Sequence, residues 1–490
     1  MPRAPLKASP EGRSPIMRVL LINPPTRRRP SPIGPIIRTL FYNSPPLGLA
    51  YLAAVLEQDG HEVTIVDCLV RDTSLAELAA RAKALAPELI GITSTTPYYH
   101  AARETAAALH AVAPGASIGL GGAHVTANPE LLLTDDCFSF GVRGEGELTL
   151  REIAACLAAG NDYRDVPGVV TVDQGSLRFA PPREYIENLD ALPPPARRLL
   201  PIRDYRPLPN DQHRLPKTSM ISSRGCPYGC VFCDKQVFGS RYRSHSPQRI
   251  VAEMHALERE FGVRDIAFVD STFTPNRARV EAVLDAMEAD PPRATWTCTG
   301  RANVLEEDLL RRMRRMNCWR IRVGVESGNE QILRDIRKGV TRQEVERTTR
   351  AADRLGLQVK VFFMIGHLGE TRATIEESIR FARELPAKDV TVQINTPLRG
   401  TPQYEPSRTR GRMLTTDSSD FSFFQPVFVP EGLTAAELAA AHRRFYRRFY
   451  LRPITVWRHL KTIRGPVDVT KYFRALPLVI RLLFGRSDIG

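Results

Sequence analysis

The sequence predicts an α/β protein with two domains, a doubly wound parallel sheet followed by a partial parallel barrel, and a helical C-terminal region. Apolar runs that suit buried parallel strands alternate with helical patterns over residues 17–160. The same alternation returns over residues 216–405. A proline-rich stretch, 161–215, separates the two series and is expected to be a linker. The length of 490 residues also exceeds that of one ordinary domain.

The charge of the chain is concentrated near its C-terminus. The net charge is +14, and residues 441–490 hold twelve Arg or Lys against two Asp. No nucleic-acid-binding motif accompanies these residues, so nucleic acid is not an expected partner. Residues 1–16 are polar and contain proline, which predicts a disordered leader without the apolar core of a signal peptide. We therefore expect a cytoplasmic location and no membrane-spanning helix.

The first series predicts five strands and their intervening helices. Strands are expected at 17–23, 61–67, 88–94, 116–122 and 138–147, and helices at 47–58, 75–86, 100–112 and 148–159. Ligands of such sheets bind beyond the carboxyl ends of the strands. No G-x-G-x-x-G motif is present there, which argues against a nicotinamide dinucleotide. Small residues at successive strand ends predict instead a broad floor for a large planar ligand, with ordinary turn glycines as the alternative interpretation.

The second series predicts six β/α units, which indicate an open parallel barrel with its chemistry at the carboxyl ends of the strands. The expected strands are 218–223, 266–270, 295–300, 321–326, 359–366 and 390–396. The expected helices are 247–260, 276–289, 306–316, 329–337, 341–355 and 371–384.

Three cysteines with the spacing C-x-x-x-C-x-x-C follow the first barrel strand: Cys226, Cys230 and Cys233. A structural zinc normally needs four protein ligands, and His245 is better interpreted as a surface or helix-entry residue than as the fourth. An odd number of thiols in a reducing compartment also argues against disulfides. Three thiolates would leave one iron of a four-iron cluster open to another ligand.

This arrangement resembles the radical S-adenosylmethionine (SAM) enzymes. Six further stretches are similar to sequence blocks of that superfamily. They are R-Y-R-S-H-S-P-Q-R-I-V-A-E-M (241–254), F-V-D-S-T-F-T (268–274), G-V-E-S-G (324–328), I-R-K-G-V-T (336–341), F-F-M-I-G-H-L-G-E-T (362–371) and T-P-L-R-G-T-P (396–402). In the family, SAM chelates the open iron of a 4Fe–4S cluster, and reduction cleaves it to methionine and a 5′-deoxyadenosyl radical. The resemblance therefore implies both cofactors.

The resemblance also implies roles for residues at the other strand ends. Phe232 would pack near the adenine or simply anchor the loop, and a carboxylate at Glu326 would suit the SAM ammonium or ribose hydroxyls. The other implied SAM contacts are Ser271, Arg301 and the backbone of Gly366. His367 departs from the residues common in this block, and no role is assigned to it.

The first domain resembles the cobalamin-binding domain of class B radical SAM proteins. The similarity lies in M-R-V-L-L-I-N-P-P, P-P-L-G-L-A-Y-L-A-A-V-L and G-G-A-H. It implies cobalamin as a cofactor, without the Asp-x-His-x-x-Gly motif that supplies a cobalt ligand in mutases. The implied cobalamin contacts lie at the strand ends: Asn23, Thr93, Ser94, Gly121, Gly122, His124, Gly144 and Glu145.

The C-terminal region, 406–490, is expected to be basic and helical. Phe445, Tyr446, Phe449 and Tyr450 alternate with arginines, and a second basic apolar segment spans 472–485. Such segments can lie on an anionic membrane surface. The alternative is a helical cap on the barrel with a solvated basic face. Membrane contact would place the protein peripherally on the inner face of the membrane and would suit a lipid-like substrate.

The resemblance implies a cobalamin-dependent C-methylation of an unactivated carbon in a lipid-like or secondary-metabolite substrate. The chemistry requires a one-electron reductase of the flavodoxin or ferredoxin type as a partner. Two alternatives stay open: radical cyclisation or rearrangement, as in the anaerobic porphyrin cyclase-like branch, and a non-catalytic cofactor-binding protein. A methylthiotransferase is less favoured, because such enzymes add three cysteines in the first domain and this one offers only Cys68, Cys137 and Cys156.

Overall fold

The computed structural model describes residues 15–25, 44–461 and 463. Nearly all of the expected leader and the whole of the basic segment 472–485 lie outside the described residues. The chain divides into two compact units. The first includes Ser44–Tyr205 and Gln236–Gly239, and the second includes Arg206–Lys235 and the chain from Ser240 onward.

The first unit is built on a sheet that begins with five parallel strands. Its strands are β1 (Arg18–Asn23), β2 (Glu62–Asp67), β3 (Leu89–Thr93), β4 (Ser117–Gly121), β5 (Phe140–Val142), β6 (Val169–Asp173) and β7 (Ser176–Phe179). Within the described chain their order is β2-β1-β3-β4-β5-β6-β7, and β1 to β5 are mutually parallel. The predicted doubly wound sheet is confirmed, and its switch point lies between β1 and β3.

Helices cover this sheet and bury its apolar strands. They are α1 (Leu47–Gln58), α2 (Leu75–Leu85), α3 (Tyr99–Val112), α4 (Ala123–Ala127) and α5 (Glu147–Ala159). Ile22, Ile90 and Ile118 are fully or almost fully buried in one core cluster with Ala106 and Leu109 of α3. Because strands buried on both faces are largely apolar, the sequence pattern located the first four strands to within one residue at each end. The fifth strand ends at Val142, five residues before its predicted end.

The segment 161–215 contains more regular structure than a linker. Strands β6 and β7 form an antiparallel hairpin that pairs with β5 through Gly141 and Val170, and so extends the parallel sheet. Tyr205, near the end of the segment, donates a hydrogen bond from its hydroxyl to Asp67 Oδ2 at 2.8 Å. The hairpin was missed because its strands are short and stand among prolines, which dominate the local pattern.

The second unit contains the predicted half-barrel. Its strands are β8 (Lys217–Met220), the short pair β9 (Ser223–Arg224) and β10 (Arg243–Ser244), then β11 (Asp265–Phe268), β12 (Thr295–Gly300), β13 (Cys318–Glu326), β14 (Gln358–Ile365) and β15 (Asp389–Ile394). Among the residues described, six of them form a parallel sheet in the order β8-β11-β12-β13-β14-β15. The partial barrel is thereby confirmed.

The barrel helices begin and end close to their predicted positions. They are α6 (Pro247–Phe261), α7 (Arg277–Ala289), α8 (Glu307–Arg315), α9 (Glu330–Asp335), α10 (Arg342–Arg354) and α11 (Arg372–Glu384). Side chains of Ser246, Asn276, Asn329, Thr341 and Thr371 each accept a backbone N–H at a helix start. Such N-caps are local sequence signals, which explains the agreement. His245, expected at the surface or a helix entry, precedes one of these caps but is buried.

The C-terminal region begins with strands as well as helices. After α12 (Tyr404–Thr409), strands β16 (Gly411–Met413) and β17 (Phe428–Pro430) pair, and α13 (Ala435–Tyr450) and α14 (Pro453–Leu460) follow. Phe445 and Phe449 are buried, and the backbone N–H of Val392 in β15 donates to the Tyr446 hydroxyl at 3.0 Å. Helix α13 therefore covers the edge strand β15. This is the helical cap on the barrel that the sequence analysis gives as the alternative interpretation. In the part of the chain that is described, no helix combines the length and the apolar character needed to cross a membrane.

Buried charges fill the amino-terminal end of the barrel. The guanidinium of Arg320 lies 2.8 Å from Asp389 Oδ2 and donates to Gln358 Oε1 at 2.7 Å. Nearby, Trp319 donates from its indole N–H to Asp265 Oδ1 at 2.8 Å. Burial alone raises the pKa of Asp389, but the charge of Arg320 holds it below its ordinary value. The network joins the starts of β11, β13, β14 and β15.

We expect Asp389→Ala to destabilise the protein by about 3–5 kcal/mol, because it removes the nearer of the two carboxylates that pair with the buried guanidinium of Arg320, the other being Asp211 at 3.5 Å. Urea denaturation of the apoprotein measures the change. The matched control is Asp353→Ala, which removes the half-exposed partner of Arg458 at 2.9 Å and should cost no more than about 1 kcal/mol. Equal losses in the two variants would contradict the role given to the buried pair.

Candidate functional site

The three cysteines lie on a loop that is held in place from both sides. Backbone hydrogen bonds join Val231 N–H to Ile336 O at 3.1 Å and Gln403 N–H to Val231 O at 3.2 Å. Val231 and Phe232 also pack against a small apolar cluster that includes Ile336. The loop that begins at the carboxyl end of the first barrel strand is therefore fixed by segments after β13 and β15.

The donor set fits a cluster rather than a disulfide or a single metal ion. Cys226, Cys230 and Cys233 are all free thiols. Burial raises the pKa of Cys233 to about 11, and the charges of Cys226 and Cys230 act in the same direction. No described trio of His, Cys, Asp or Glu side chains is arranged around a single metal ion. A cluster does not require that arrangement, because each thiolate binds a different iron.

Arg301, an expected SAM contact, is fixed against the cysteine loop. Its guanidinium lies 3.5 Å from the ring centroid of Tyr228, which stands between the first two cysteines. It also donates to the backbone carbonyls of Lys338 and Gly339. The Tyr228 hydroxyl donates to Pro275 O at 2.7 Å. Arg301 therefore positions the loop, and its buried Nε has no hydrogen-bond partner among the described residues.

Glu326, expected to bind SAM directly, is paired inside the protein. Its Oε1 accepts a hydrogen bond from Lys338 Nζ at 2.7 Å, and both side chains are almost buried. Glu326 ends β13 with a φ of 68°, a left-handed conformation that is strained for a glutamate. A Cβ on Gly324 would stand 2.5 Å from Glu326 Oε1 and 2.7 Å from Lys338 Nζ, so this glycine makes room for the pair.

His367 and Glu370 bring unpartnered polar atoms to the end of β14. Both ring nitrogens of His367 and Glu370 Oε1 are buried without a hydrogen-bond partner within the described structure. The His367 ring lies 5.9 Å from that of Phe232 in the cysteine loop. Burial and then the charge of Lys338 lower the pKa of His367 to about 3, so the imidazole is neutral. Buried polar atoms normally find partners, and a bound polar cofactor such as SAM would provide them.

Gly366 and Ser271 differ in their surroundings. Gly366 has a φ of 86°, and its N–H donates to Glu370 Oε2, which also accepts from His367 N–H at 3.1 Å. Ser271 is exposed at the end of the β11 segment. The residue before it, Asp270, is buried and accepts from the backbone N–H of Ser222 at 2.7 Å. At this strand end it is therefore Asp270 that orders the start of the cysteine loop.

In the first unit, Asn23 lies at the carboxyl end of β1 and is tied to the neighbouring strand. Its side-chain amide donates to Asp67 Oδ1 at 2.9 Å, and the same carboxylate accepts from Tyr205. Burial raises the pKa of Asp67, although these hydrogen bonds oppose the shift. The pair lies beside the switch point of the sheet, where ligands of this fold class bind.

The backbones at the carboxyl ends of β3 and β4 approach each other closely. Ser94 N–H donates to Gly121 O at 2.9 Å. A Cβ atom added to Gly122 would lie only 2.7 Å from Ser94 O. Thr93 Oγ1 would lie 3.2 Å from that same atom. Gly122 has a φ of 102°, so both its conformation and its contacts exclude a larger residue. Gly122 is therefore required by its backbone conformation and by its close contacts.

His124, the second residue of α4, has a buried ring nitrogen that could meet a ligand at the strand ends. Its Nδ1 lies 3.2 Å from Thr96 Oγ1, whereas its buried Nε2 has no partner in the described part of the chain. Burial and then the charge of His100 lower its pKa to about 4, so the ring is a neutral donor or acceptor. This orphaned atom at the floor of the sheet fits a large polar-edged ligand such as cobalamin.

The loop after β5 holds the last pair of expected residues. Gly144 has a φ of 75°, and its N–H donates to Thr126 Oγ1 at 3.1 Å. Glu145 is buried, and its Oε2 accepts from Ile186 N–H at 2.8 Å. Glu145 therefore ties this loop to the segment after β7, and Gly144 ties it to α4 through Thr126.

Several site residues were missed by sequence reasoning. Tyr228 stands inside the cysteine motif, and Lys338 and Glu370 lie within blocks similar to those of the superfamily. The only signal was their position beside recognised motifs. Asp67 carried a clearer signal, because it is an acidic residue at the end of an apolar strand.

The chain is similar in sequence to two known domain families. Over most of its length it is also similar to known proteins. Residues 220–382 match the radical SAM superfamily, and residues 33–154 match the B12 binding domain. An uncharacterized methyltransferase of Pyrococcus horikoshii is 33% identical over 440 residues, which are 89% of this chain and 93% of that protein. The anaerobic magnesium-protoporphyrin IX monomethyl ester cyclase of Cereibacter sphaeroides is 27% identical over 83% of this chain and 67% of its own.

A solved structure shares the fold over most of the chain. The radical SAM methyltransferase TsrM of Kitasatospora setae, with cobalamin and a 4Fe–4S cluster bound, superposes with a TM-score of 0.67 at 18% identity and covers 89% of each chain. The half-barrel with its cysteine loop thus defines the class, a radical SAM enzyme. The chain belongs to the cobalamin-dependent radical SAM methyltransferase family, whose cofactors are a 4Fe–4S cluster, SAM and cobalamin.

Replacement of a cluster ligand should abolish cluster assembly. We expect Cys230→Ala to lose nearly all iron after anaerobic reconstitution, because two thiolates on one loop leave half of the cluster irons without protein ligands. Iron and sulfide analysis with the ultraviolet–visible spectrum measures the loss. Cys156→Ala, in α5 of the other unit, is the matched control and should retain the iron content of the wild type. A full iron content in Cys230→Ala would refute the ligand assignment.

The stability of the apoprotein should depend on the protonation of Glu370. Burial raises its pKa to about 8, so the folded state binds this proton more tightly than the unfolded chain does. The free energy of unfolding should therefore fall by about 2 kcal/mol from about pH 6 to about pH 8. Glu370→Gln imitates the neutral acid and should lose this dependence, as measured by urea denaturation at both pH values. The exposed Glu384→Gln serves as control, and an identical pH profile in all three proteins would contradict the expectation.

Proposed function

We propose that this enzyme transfers a methyl group to an unactivated carbon of a small-molecule substrate. The observation that carries the proposal is the combination, in one chain, of an anchored three-cysteine loop and a B12-type sheet with an orphaned buried imidazole at its floor. In this chemistry the cluster and SAM supply a hydrogen-abstracting radical, and cobalamin supplies the methyl group. The methyltransferase that is 33% identical supports the same reaction class.

The residues of the chain bind and orient these groups. We propose Cys226, Cys230 and Cys233 as the cluster ligands. Phe232 and the backbone of Gly366 would flank the adenine, since both lie beside the orphaned His367.

The polar contacts to SAM that we propose are fewer than the resemblance implies. We propose that Glu326, paired with Lys338, presents its remaining carboxylate oxygen to the ammonium or ribose of SAM, a contact favoured by charge. Arg301 would act by fixing the loop through Tyr228, and Ser271, exposed at its strand end, would contact SAM only at its periphery.

In the first unit, the strand ends would seat cobalamin. The proposed contacts are the strand-end residues predicted from sequence, Asn23, Thr93, Ser94, Gly121, Gly122, His124, Gly144 and Glu145. The close approach of Gly122 to Ser94 supports a role for bare backbone at this floor. The orphaned Nε2 of His124 supports a polar contact to the ligand edge.

The partners follow from the chemistry and from the C-terminal region. We infer that a flavodoxin- or ferredoxin-type reductase delivers the single electron that each cleavage of SAM requires. We also infer a lipid-like or secondary-metabolite substrate and a peripheral contact with the membrane. Exposed apolar residues in α14, such as Ile454 and Trp457, support that contact.

A different outcome, cyclisation, is the second candidate. The relative named as a magnesium-protoporphyrin ester cyclase is 27% identical over most of this chain, so the same two domains accompany that reaction as well. The two candidates differ in the mass of the product, since methylation adds carbon and cyclisation removes hydrogen.

Anaerobic reconstitution and product analysis test the proposal. With reductant and SAM, we expect 5′-deoxyadenosine to form, and none in Cys230→Ala. In cells fed SAM precursor labelled in its methyl group, we expect a labelled compound that is missing from a deletion strain. Absence of 5′-deoxyadenosine would exclude the enzyme activity. A product that gains no labelled carbon, although 5′-deoxyadenosine forms, would favour cyclisation or rearrangement.

A further inference from the structure

A groove lined by arginines lies between α11 and α13 of the second unit. Its volume is about 960 Å³. Helix α11 contributes Arg380 and Arg383, and α13 contributes Arg443, Arg444, Arg447 and Arg448. Like charges brought together in this way repel one another, so the groove favours any anion that can reach several guanidinium groups. We refer to these six residues as the arginine groove.

Among the residues that the structure describes, one carboxylate is shared by two of these arginines. Glu376 accepts from both Arg444, at 2.6 Å, and Arg448, at 2.5 Å. Arg380 and Arg383 have no ion-pair partner among the residues that the structure describes. At the end of the groove, burial and the charges of Arg458 and Arg383 lower the pKa of Arg452 to about 10, which is a consequence of the same crowding. The groove therefore holds more cationic groups than its surroundings neutralise.

An apolar stripe continues from the groove. Leu451 and Pro453 line its end, and α14 begins there. Leu451, Ile454, Trp457 and Leu460 are each more than half exposed, at 52% or 53%. Ile454, Trp457 and Leu460 are spaced three residues apart along one side of α14, and Leu451 precedes the helix. We refer to these four residues as the apolar stripe.

The orientation of α14 is set by polar contacts on its other side. Arg452 Nε donates to Thr455 Oγ1 at 3.0 Å, Arg458 pairs with Asp353 at 2.9 Å, and His459 Nε2 lies 3.2 Å from Lys388 O. The helix thus turns its polar residues toward the protein and its apolar ones outward. This is the reverse of an ordinary surface helix, and it holds an apolar side next to a cationic groove.

We propose that the arginine groove and the apolar stripe together form a docking site for a membrane surface that contains anionic phospholipids. Guanidinium groups bind phosphate oxygens in paired hydrogen bonds, and Trp, Ile and Leu suit the boundary between headgroups and acyl chains. The inference rests on the peripheral contact proposed above and gives it a site and a class of lipid. A membrane-dissolved substrate would then meet the enzyme at the surface where it resides.

The last residues of the sequence carry the same sign of charge as the arginine groove. Residues 464–490 contain five Arg or Lys against two Asp, so this segment is itself basic. An occupant of the arginine groove must be anionic, which the phosphates of a bilayer provide at high density.

Vesicle co-sedimentation of the full-length protein tests the site. We expect binding to vesicles of phosphatidylcholine with phosphatidylglycerol, little binding to phosphatidylcholine alone, and a decrease with added salt. Arg380→Gln/Arg383→Gln should weaken partitioning about thirtyfold, since two basic residues leave the anionic surface. Arg311→Gln/Arg314→Gln removes the same charge from α8 and is the matched control. Trp457→Ser/Leu460→Ser should weaken binding while preserving its dependence on salt.

Three results would overturn the proposal. One is the absence of binding to anionic vesicles, and another is an equal loss in the groove variant and its control, which would assign the effect to net charge or to residues 464–490. The third is self-association that Trp457→Ser abolishes without any vesicle binding, which would make the stripe an interface between two copies. Formation of 5′-deoxyadenosine in detergent-free solution is measured for each variant. Because it needs no membrane, failure of the docking site and failure of the proposed reaction remain distinguishable.

Discussion

The buried ion pair between Arg320 and Asp389 is the contact on which the barrel depends. It closes the amino-terminal end of the sheet with charges that water does not reach, and their mutual pairing makes this burial tolerable. Parallel strands fixed at that end bring all of their carboxyl ends to the opposite edge. The cysteine loop, Glu326 and Gly366 are distant in sequence, yet they lie at this one edge because the strands that carry them share one direction.

The open edge is organised in a different way from the closed one. At the closed end the charges find protein partners, whereas at the open end His367 and Glu370 keep polar atoms without partners in the described structure. The Glu326–Lys338 pair is partly satisfied and still has an acceptor to offer. Unsatisfied polar atoms cost free energy when they are buried, and a cofactor that pairs with them recovers it. The paired charges at one end of the barrel therefore stabilise the fold, and the polar atoms at the other end are available to bind a cofactor.

The aromatic and arginine residues near the C-terminus show how one segment can serve two purposes. Tyr446 and Tyr450 accept backbone N–H groups of β15, so they complete the edge strand of the barrel. The arginines between them point to the remaining sides of the helix and line the groove beside α11. A helical period of 3.6 residues separates these two sets, and the sequence showed their alternation but not which set would face the barrel.

The sequence by itself determined the parallel strands of both sheets, the helices between them, the cysteine triad and the presence of two domains, because these depend on local periodicity, N-caps and short motifs. Only the tertiary structure decided which groups meet. It paired Glu326 with Lys338 and placed Tyr228 under Arg301. It also left the ring nitrogens of His367 without a hydrogen-bond partner among the described residues and turned the apolar residues of α14 outward. These outcomes depend on contacts between residues that are remote in the chain, and no local pattern encodes the distance between two side chains that belong to different strands.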